Sequence, residues 1–122
     1  DFAYCDSGMI PWLLVAELVS VKGKPLSKLV GDRIAAFPCS GEINYSVEDP
    51  QACIEAVKAY FASLNPKTDD TDGISLEFSD WRVNLRASNT EPLLRLNVES
   101  RDNSLLVEER VAEIQTLINK FI

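Results

Sequence analysis

The sequence has 122 residues, 46% hydrophobic and 25% charged, which is the length and balance of one ordinary globular domain with a core of its own. It contains no run of about 18 apolar residues and no charged-then-apolar leader, so neither a membrane span nor export is expected. A net charge of −7 repels polyanions and argues against nucleic acid or an anionic membrane surface as the main partner, and the absence of histidine removes the commonest general base.

Cys5, Cys39 and Cys53 are too few and too far apart for a disulfide framework, and no CxxC pair exists to build a zinc site. Free thiols in a reducing cytoplasm are the expectation.

In chain order, Asp6 or Ser7 is placed to cap a first helix, with Pro11 in its first turn when Ser7 is the cap. The run "WLLVAELVSV" is apolar almost all round, a pattern of burial on more than one side. A second short helix is expected from Pro25 to about Ala35, with Leu26, Leu29, Val30 and Ile34 on one stripe. "FPCSG", residues 37–41, then breaks the pattern and is the candidate boundary.

Past the boundary, Ile43, Tyr45 and Val47 alternate with polar residues as a strand. Asp49 and Pro50 open a helix whose stripe is Ile54, Val57, Phe61 and Leu64, followed by the polar loop "KTDDTDG". Ile74, Leu76 and Phe78 alternate next, then a Ser79–Asp80 turn, then Trp81, Val83 and Leu85, then Leu94, Leu96 and Val98. Asp102 or Asn103 caps a last helix with Val107, Val111, Ile114, Ile118 and Phe121 on one face. The expected fold is α+β: a four-stranded, mostly antiparallel sheet with two helices packed on one face, preceded by two helices.

If residues 81, 83, 85, 94, 96 and 98 face the helices, then Arg82, Asn84, Arg86, Arg95 and Asn97 face the other way. Between Arg82 and Arg101, four arginines stand against two glutamates, a local +2 that leaves −9 on the rest of a chain of net charge −7. Arg86 closes its strand beside the loop "SNTEP", so Arg86, Ser88, Asn89 and Thr90, with their backbone N–H groups, form a donor set suited to a phosphate dianion, and Pro92 stiffens the exit. Serine, asparagine and threonine also serve in turns for their own sake, and on spacing alone a capped hairpin loop remains open.

"RASNTEP" closely resembles the phosphate-binding loop in the last domain of the α-D-phosphohexomutase superfamily, and "DGISLEFSDW" and "LRLNVES" fit the same domain. "DSGMIPWLLVAELV" and "FPCSGEIN" are similar to the end of the third domain and the linker of bacterial phosphomannomutases serving GDP-mannose synthesis. The resemblance implies a four-domain cytoplasmic enzyme that interconverts mannose 6-phosphate and mannose 1-phosphate. It would work through a phosphoserine and a bisphosphorylated intermediate, with Mg²⁺ held by residues outside this chain. It implies residues 1–37 as the helical tail of the preceding domain with its linker, and residues 38–122 as the complete C-terminal domain. Arg86, Ser88, Asn89 and Thr90 would grip the non-reacting phosphate. The partners implied are the phosphosugar and the upstream domains of the same chain.

No serine–histidine nucleophile segment, aspartate-rich metal loop or histidine-containing sugar loop occurs here, so the fragment by itself is expected to be inactive. A phosphoglucomutase or phosphoglucosamine mutase would use the same grip, and a non-enzymatic module docking through its open sheet face is the alternative from another class. "TDDTDG" is not a calcium loop, because aligning Gly73 with the loop glycine puts Ser79 where a bidentate glutamate belongs. Glu42 is expected simply to face solvent. Glu91 is expected to turn away from the pocket or pair with Arg95. The apolar first helix is expected to be core of a missing domain, and so to fold back or associate when exposed.

Overall fold

A computed structural model describes residues 7–88 and 90–122, and the chain divides into two compact units between Ala35 and Ala36. The first unit holds α1 (Met9–Lys22) and α2 (Leu26–Ala36, whose last residue crosses the division), and neither helix has a buried residue. Helix α1 starts at Met9 with Gly8 at its cap position, and the Ser7 hydroxyl accepts the Met9 N–H at 3.3 Å. Pro11 falls in the first turn as expected, where its missing N–H costs no intrahelical bond. Gly23 stops the helix in a left-handed conformation, φ 60°, and its N–H returns to the Val19 carbonyl. The apolar α1 residues Trp12, Leu13, Leu14 and Leu18 are exposed.

The second unit is a sheet with helices on one face. Its elements are β1 (Ile43–Ser46), α3 (Pro50–Phe61) with a short 3₁₀ extension to Leu64, β2 (Lys67–Asp69), β3 (Ile74–Glu77), β4 (Trp81–Ala87), β5 (Leu93–Ser100) and α4 (Ser104–Ile118). All pairings are antiparallel, in the order β1-β5-β4-β3-β2. β2 to β5 form a meander, and α3 carries the chain from one edge of the sheet to the other. The sheet has five strands where four are expected from the sequence. β2 lies in the "KTDDTDG" loop, and all three of its residues are exposed, so it is made by backbone pairing to β3 and leaves no alternating signal.

Both helix starts follow from their caps. Asp49 accepts the Ala52 N–H at 3.0 Å with Pro50 in the first position, and Asn103 accepts the Leu106 N–H at 3.1 Å. Asn103, not Asp102, is the cap; Asp102 takes a left-handed φ of 51° in the turn before it. Helix α3 ends at Phe61, so Leu64 leaves the expected stripe and is exposed.

The core holds Ile54, Val57 and Phe61 of α3, Val107, Ile114 and Ile118 of α4, and the inward residues Val83, Leu85, Leu94, Leu96 and Val98. At its end, Phe61 meets Phe78 and Trp81 edge-on at 5.7 and 5.4 Å, Phe78 and Trp81 stack at 4.2 Å, and the Arg110 guanidinium covers Trp81 at 5.3 Å. Burial pushes the Cys53 thiol pKa up, whereas Cys39 is exposed; Cys5 lies outside the described residues.

Gly73 is the one glycine whose missing side chain the packing requires. It has φ 67°, and an added Cβ would lie 2.2 Å from the Leu85 carbonyl oxygen and 2.7 Å from the Arg86 Cα. The chain entering β3 is thereby pressed against the backbone that carries Arg86.

Three outcomes follow from this packing. Leu96→Ala should cost about 2–5 kcal/mol in urea unfolding, while Leu105→Ala, at a position 67% exposed, should stay within about 0.5 kcal/mol. Gly73→Ala should cost about 1–3 kcal/mol through strain and should move the amide resonances of residues 84–87, which a remote loop change would leave in place. Peptide mapping after thiol alkylation should find Cys39 modified in the native protein and Cys53 modified only after denaturant is added.

Candidate functional site

The open face of the sheet is built in three cross-strand rows. Lys67, Glu77, Arg82 and Glu99 stand opposite one another on β2, β3, β4 and β5, so the charges alternate across the sheet. Arg82 donates to both Glu99 oxygens at 2.9 and 3.1 Å, and this raises its pKa above the ordinary value. Lys67 and Arg101 lie 3.9 and 4.0 Å from the two Glu77 oxygens. Arg82 and Arg101 are thus balanced within this row and its edge. The local excess of arginine read along the chain does not all gather beside the loop.

The next row is polar and mostly neutral, with Asp69, Ser75, Asn84 and Asn97 in register. The Asn84 amide nitrogen reaches the Asp72 carbonyl at 3.0 Å and the Ser75 hydroxyl at 3.1 Å. It fastens the start of β3 to β4, and with it Asp72.

The third row is cationic. Arg86 on β4 is paired directly with Arg95 on β5, and Asn44 on β1 lies opposite Arg95. Like charges facing each other across strands repel, and two carboxylates meet them here. Arg86 Nη2 lies 3.3 Å from Glu42 Oε2, and its Nη1 lies 3.4 Å from Asp72 Oδ2. The other Glu42 oxygen, Oε1, is 3.8 Å from Arg95 Nε, which is buried and has no hydrogen-bond partner among the described residues. The side chains of Arg86, Glu42 and Asp72 are 35%, 40% and 74% exposed, so these contacts sit in water's reach and are each weak, about 0–1 kcal/mol.

A bulge brings Glu42 here. Ile43 pairs with Leu96 and Cys39 with Glu99, so four steps along the first segment match three along β5, and one residue is extra at Ser40–Gly41. Gly41 takes φ 69°, while the Ser40 N–H reaches the Val98 carbonyl at 2.8 Å and the Val98 N–H reaches the Ser40 hydroxyl at 2.9 Å. Glu42 does face solvent as expected, but it also bridges two arginines, a role its sequence neighbours do not announce. The missed signal is its parity with Asn44, which puts it on the arginine face once β1 is known to pair with β5. Arg95 pairs with Glu42 and not with Glu91.

Arg86 lies near the end of β4 and turns to Glu42 and Asp72, Ser88 and Thr90 meet each other in the loop that follows, and Asn89 lies outside the described residues. The Ser88 N–H closes the hairpin onto the Leu93 carbonyl at 2.8 Å and is not a spare donor. Among the described residues the Thr90 N–H makes a long contact, 3.4 Å, to the Ser88 hydroxyl, and the two hydroxyls are 3.5 Å apart. Both remain open to a stronger acceptor. A shallow hollow bordered by Arg86, Asp72, Asn84 and Asn97 extends from this end over the open face. A second hollow, lined by Phe37, Phe78, Trp81 and Arg101, lies toward the other end of β4 and adjoins the first at Arg82 and Glu99, which border both.

Among the described residues, no group of three or more histidine, cysteine, aspartate or glutamate side chains is placed to hold a metal ion. No described helix is long and apolar enough to cross a membrane.

Residues 42–116 match the family model for the phosphoglucomutase/phosphomannomutase C-terminal domain. The chain is 61% identical over 119 residues to a phosphomannomutase of Salmonella montevideo and 58% identical over 120 residues to one of Escherichia coli strain K12. It is 57% identical over 118 residues to a protein named phosphohexose mutases in Xanthomonas campestris pv. campestris strain B100. These alignments cover 97–98% of this chain and 26% of each relative, so the chain spans about a quarter of their length. An α+β fold with an antiparallel sheet and a family match through β1 to α4 agree: the chain belongs to the phosphoglucomutase/phosphomannomutase family and contains its C-terminal domain.

Proposed function

We propose that the domain clamps the non-reacting phosphate of a sugar phosphate within a phosphomannomutase that interconverts mannose 6-phosphate and mannose 1-phosphate. Arg86, Ser88, Asn89 and Thr90 make the grip. The observation that carries this reading is the state of Arg86: a guanidinium next to last in its strand, on the open face, that among the described residues is held by long contacts to two exposed carboxylates. An incoming dianion offers shorter, charged hydrogen bonds and displaces such contacts at small cost. The Ser88 and Thr90 hydroxyls and the Thr90 N–H add neutral donors. The binding energy of a phosphate that does not react positions the end that does.

The same reading extends to the whole protein. Its substrates are mannose phosphates and their bisphosphorylated intermediate, its product supplies GDP-mannose synthesis, and it works in the cytoplasm. Residues 1–37 belong to the tail of the preceding domain with its linker, and residues 38–122 to the C-terminal phosphate-binding domain. On this reading the Mg²⁺ of the reaction is held by residues outside this chain. The chain alone performs no transfer.

The test is a titration of the 122-residue chain with inorganic phosphate and with mannose 1-phosphate, followed by amide resonances. Residues 86–92 should shift with about millimolar affinity, equivalent to about 4 kcal/mol. Arg86→Ala should weaken binding about tenfold or more, the loss of a hydrogen bond to a charged group. A response that is the same in Arg86→Ala would leave the clamp without its cation and favour a docking module on the open face.

A further inference from the structure

We propose that Glu42 is an internal counterion that competes with the bound phosphate and changes partner when phosphate arrives, passing from Arg86 to Arg95. This rests on the clamp reading and adds to it a positioning residue and a control on affinity. Glu42 spans the cationic row with one oxygen toward each arginine, at 3.3 Å from Arg86 Nη2 and 3.8 Å from Arg95 Nε. Neither contact is a short ion pair, so the carboxylate rests between two better positions.

The free domain needs this negative charge, because Arg86 and Arg95 face each other directly on adjacent strands. A bound phosphate dianion brings its own charge to Arg86 and repels Glu42. Arg95 offers the carboxylate a place to go. Its Nε is buried and lacks a hydrogen-bond partner among the described residues, so a small movement of Glu42 satisfies a donor that is unmet in the free state. Asp72, far more exposed and attached through the backbone that Asn84 anchors, balances the outer side of Arg86 throughout. The exchange keeps every guanidinium paired before and after binding, and it keeps phosphate weakly held and therefore readily released.

The sign of one substitution decides between this role and simple support. If Glu42 only orients Arg86, then Glu42→Gln loosens the guanidinium and phosphate binds less well. If Glu42 competes, Glu42→Gln removes a repulsive charge and inorganic phosphate binds about three- to tenfold more tightly, an effect that shrinks as salt is raised. Arg95→Gln should do the reverse, confining Glu42 to Arg86 and weakening phosphate by a similar factor. The double variant should return near the parent value. In the parent chain the Arg95 Nε–Hε resonance should move on phosphate addition, and in Glu42→Gln it should not.

These titrations of the 122-residue chain, with amide spectra confirming that each variant is folded, separate the outcomes. Phosphate shifts in the parent with unchanged or weaker binding in folded Glu42→Gln overturn the counterion role and leave the clamp standing. Shifts that emerge only in Glu42→Gln support it, since the acid then masks the site. No phosphate response at residues 86–92 in either chain overturns the clamp and the counterion together.

Discussion

Two guanidinium groups held side by side on neighbouring strands are the constraint around which the open face is arranged. Arg86 and Arg95 repel, and the sheet keeps them adjacent because the alternation that buries Leu85, Leu94 and Leu96 leaves their neighbours no other side to occupy. The hydrophobic term fixes the register, being worth about 1.5–3 kcal/mol for each buried leucine-sized side chain. That exceeds any single contact among the exposed charges. The electrostatics must therefore accommodate the register.

The accommodation is graded along the strands. Near the Ser79–Asp80 turn, arginines meet carboxylates in an alternating row, so that end of the face is nearly neutral. In the middle, Asn84 holds its strand to the entry of β3 through the Asp72 carbonyl and the Ser75 hydroxyl, without charge. Only at the hairpin end do cations outnumber the acids placed opposite them within the row, and there the acids reach in from outside, from the bulge before β1 and from the turn before β3. The phosphate site proposed beside the 88–92 loop would draw on the part of the face where positive charge is least firmly committed.

Much of this architecture was legible in the sequence. The alternation in β1, β3, β4 and β5 set their inward faces, Asp49 and Pro50 marked the start of α3, and the polarity of Arg82, Asn84, Arg86, Arg95 and Asn97 placed them outward. What stayed hidden depends on who stands across from whom. β2 has no buried residue and exists through main-chain pairing alone, so its side chains carry no trace of it. The Glu42 bridge needs the order β1-β5-β4, a nonlocal fact, together with an extra residue at Ser40–Gly41. The closeness of Gly73 to Arg86 is a backbone contact, which composition cannot express. A list of donors in the 86–90 segment likewise hides that the Ser88 N–H is spent on closing the hairpin. Side-chain pattern reports orientation; pairing geometry decides what each group has left to offer.

The two acids that attend Arg86 arrive from opposite flanks, Glu42 beside the β1 border and Asp72 beside β3, forty-four and fourteen residues away along the chain. The guanidinium therefore works as a weak lateral link across four strands, β1, β5, β4 and β3. Unzipping on either flank would strip away one acid and sharpen the local positive potential, so the electrical character of this corner registers whether β1 and β3 stay paired with the central strands.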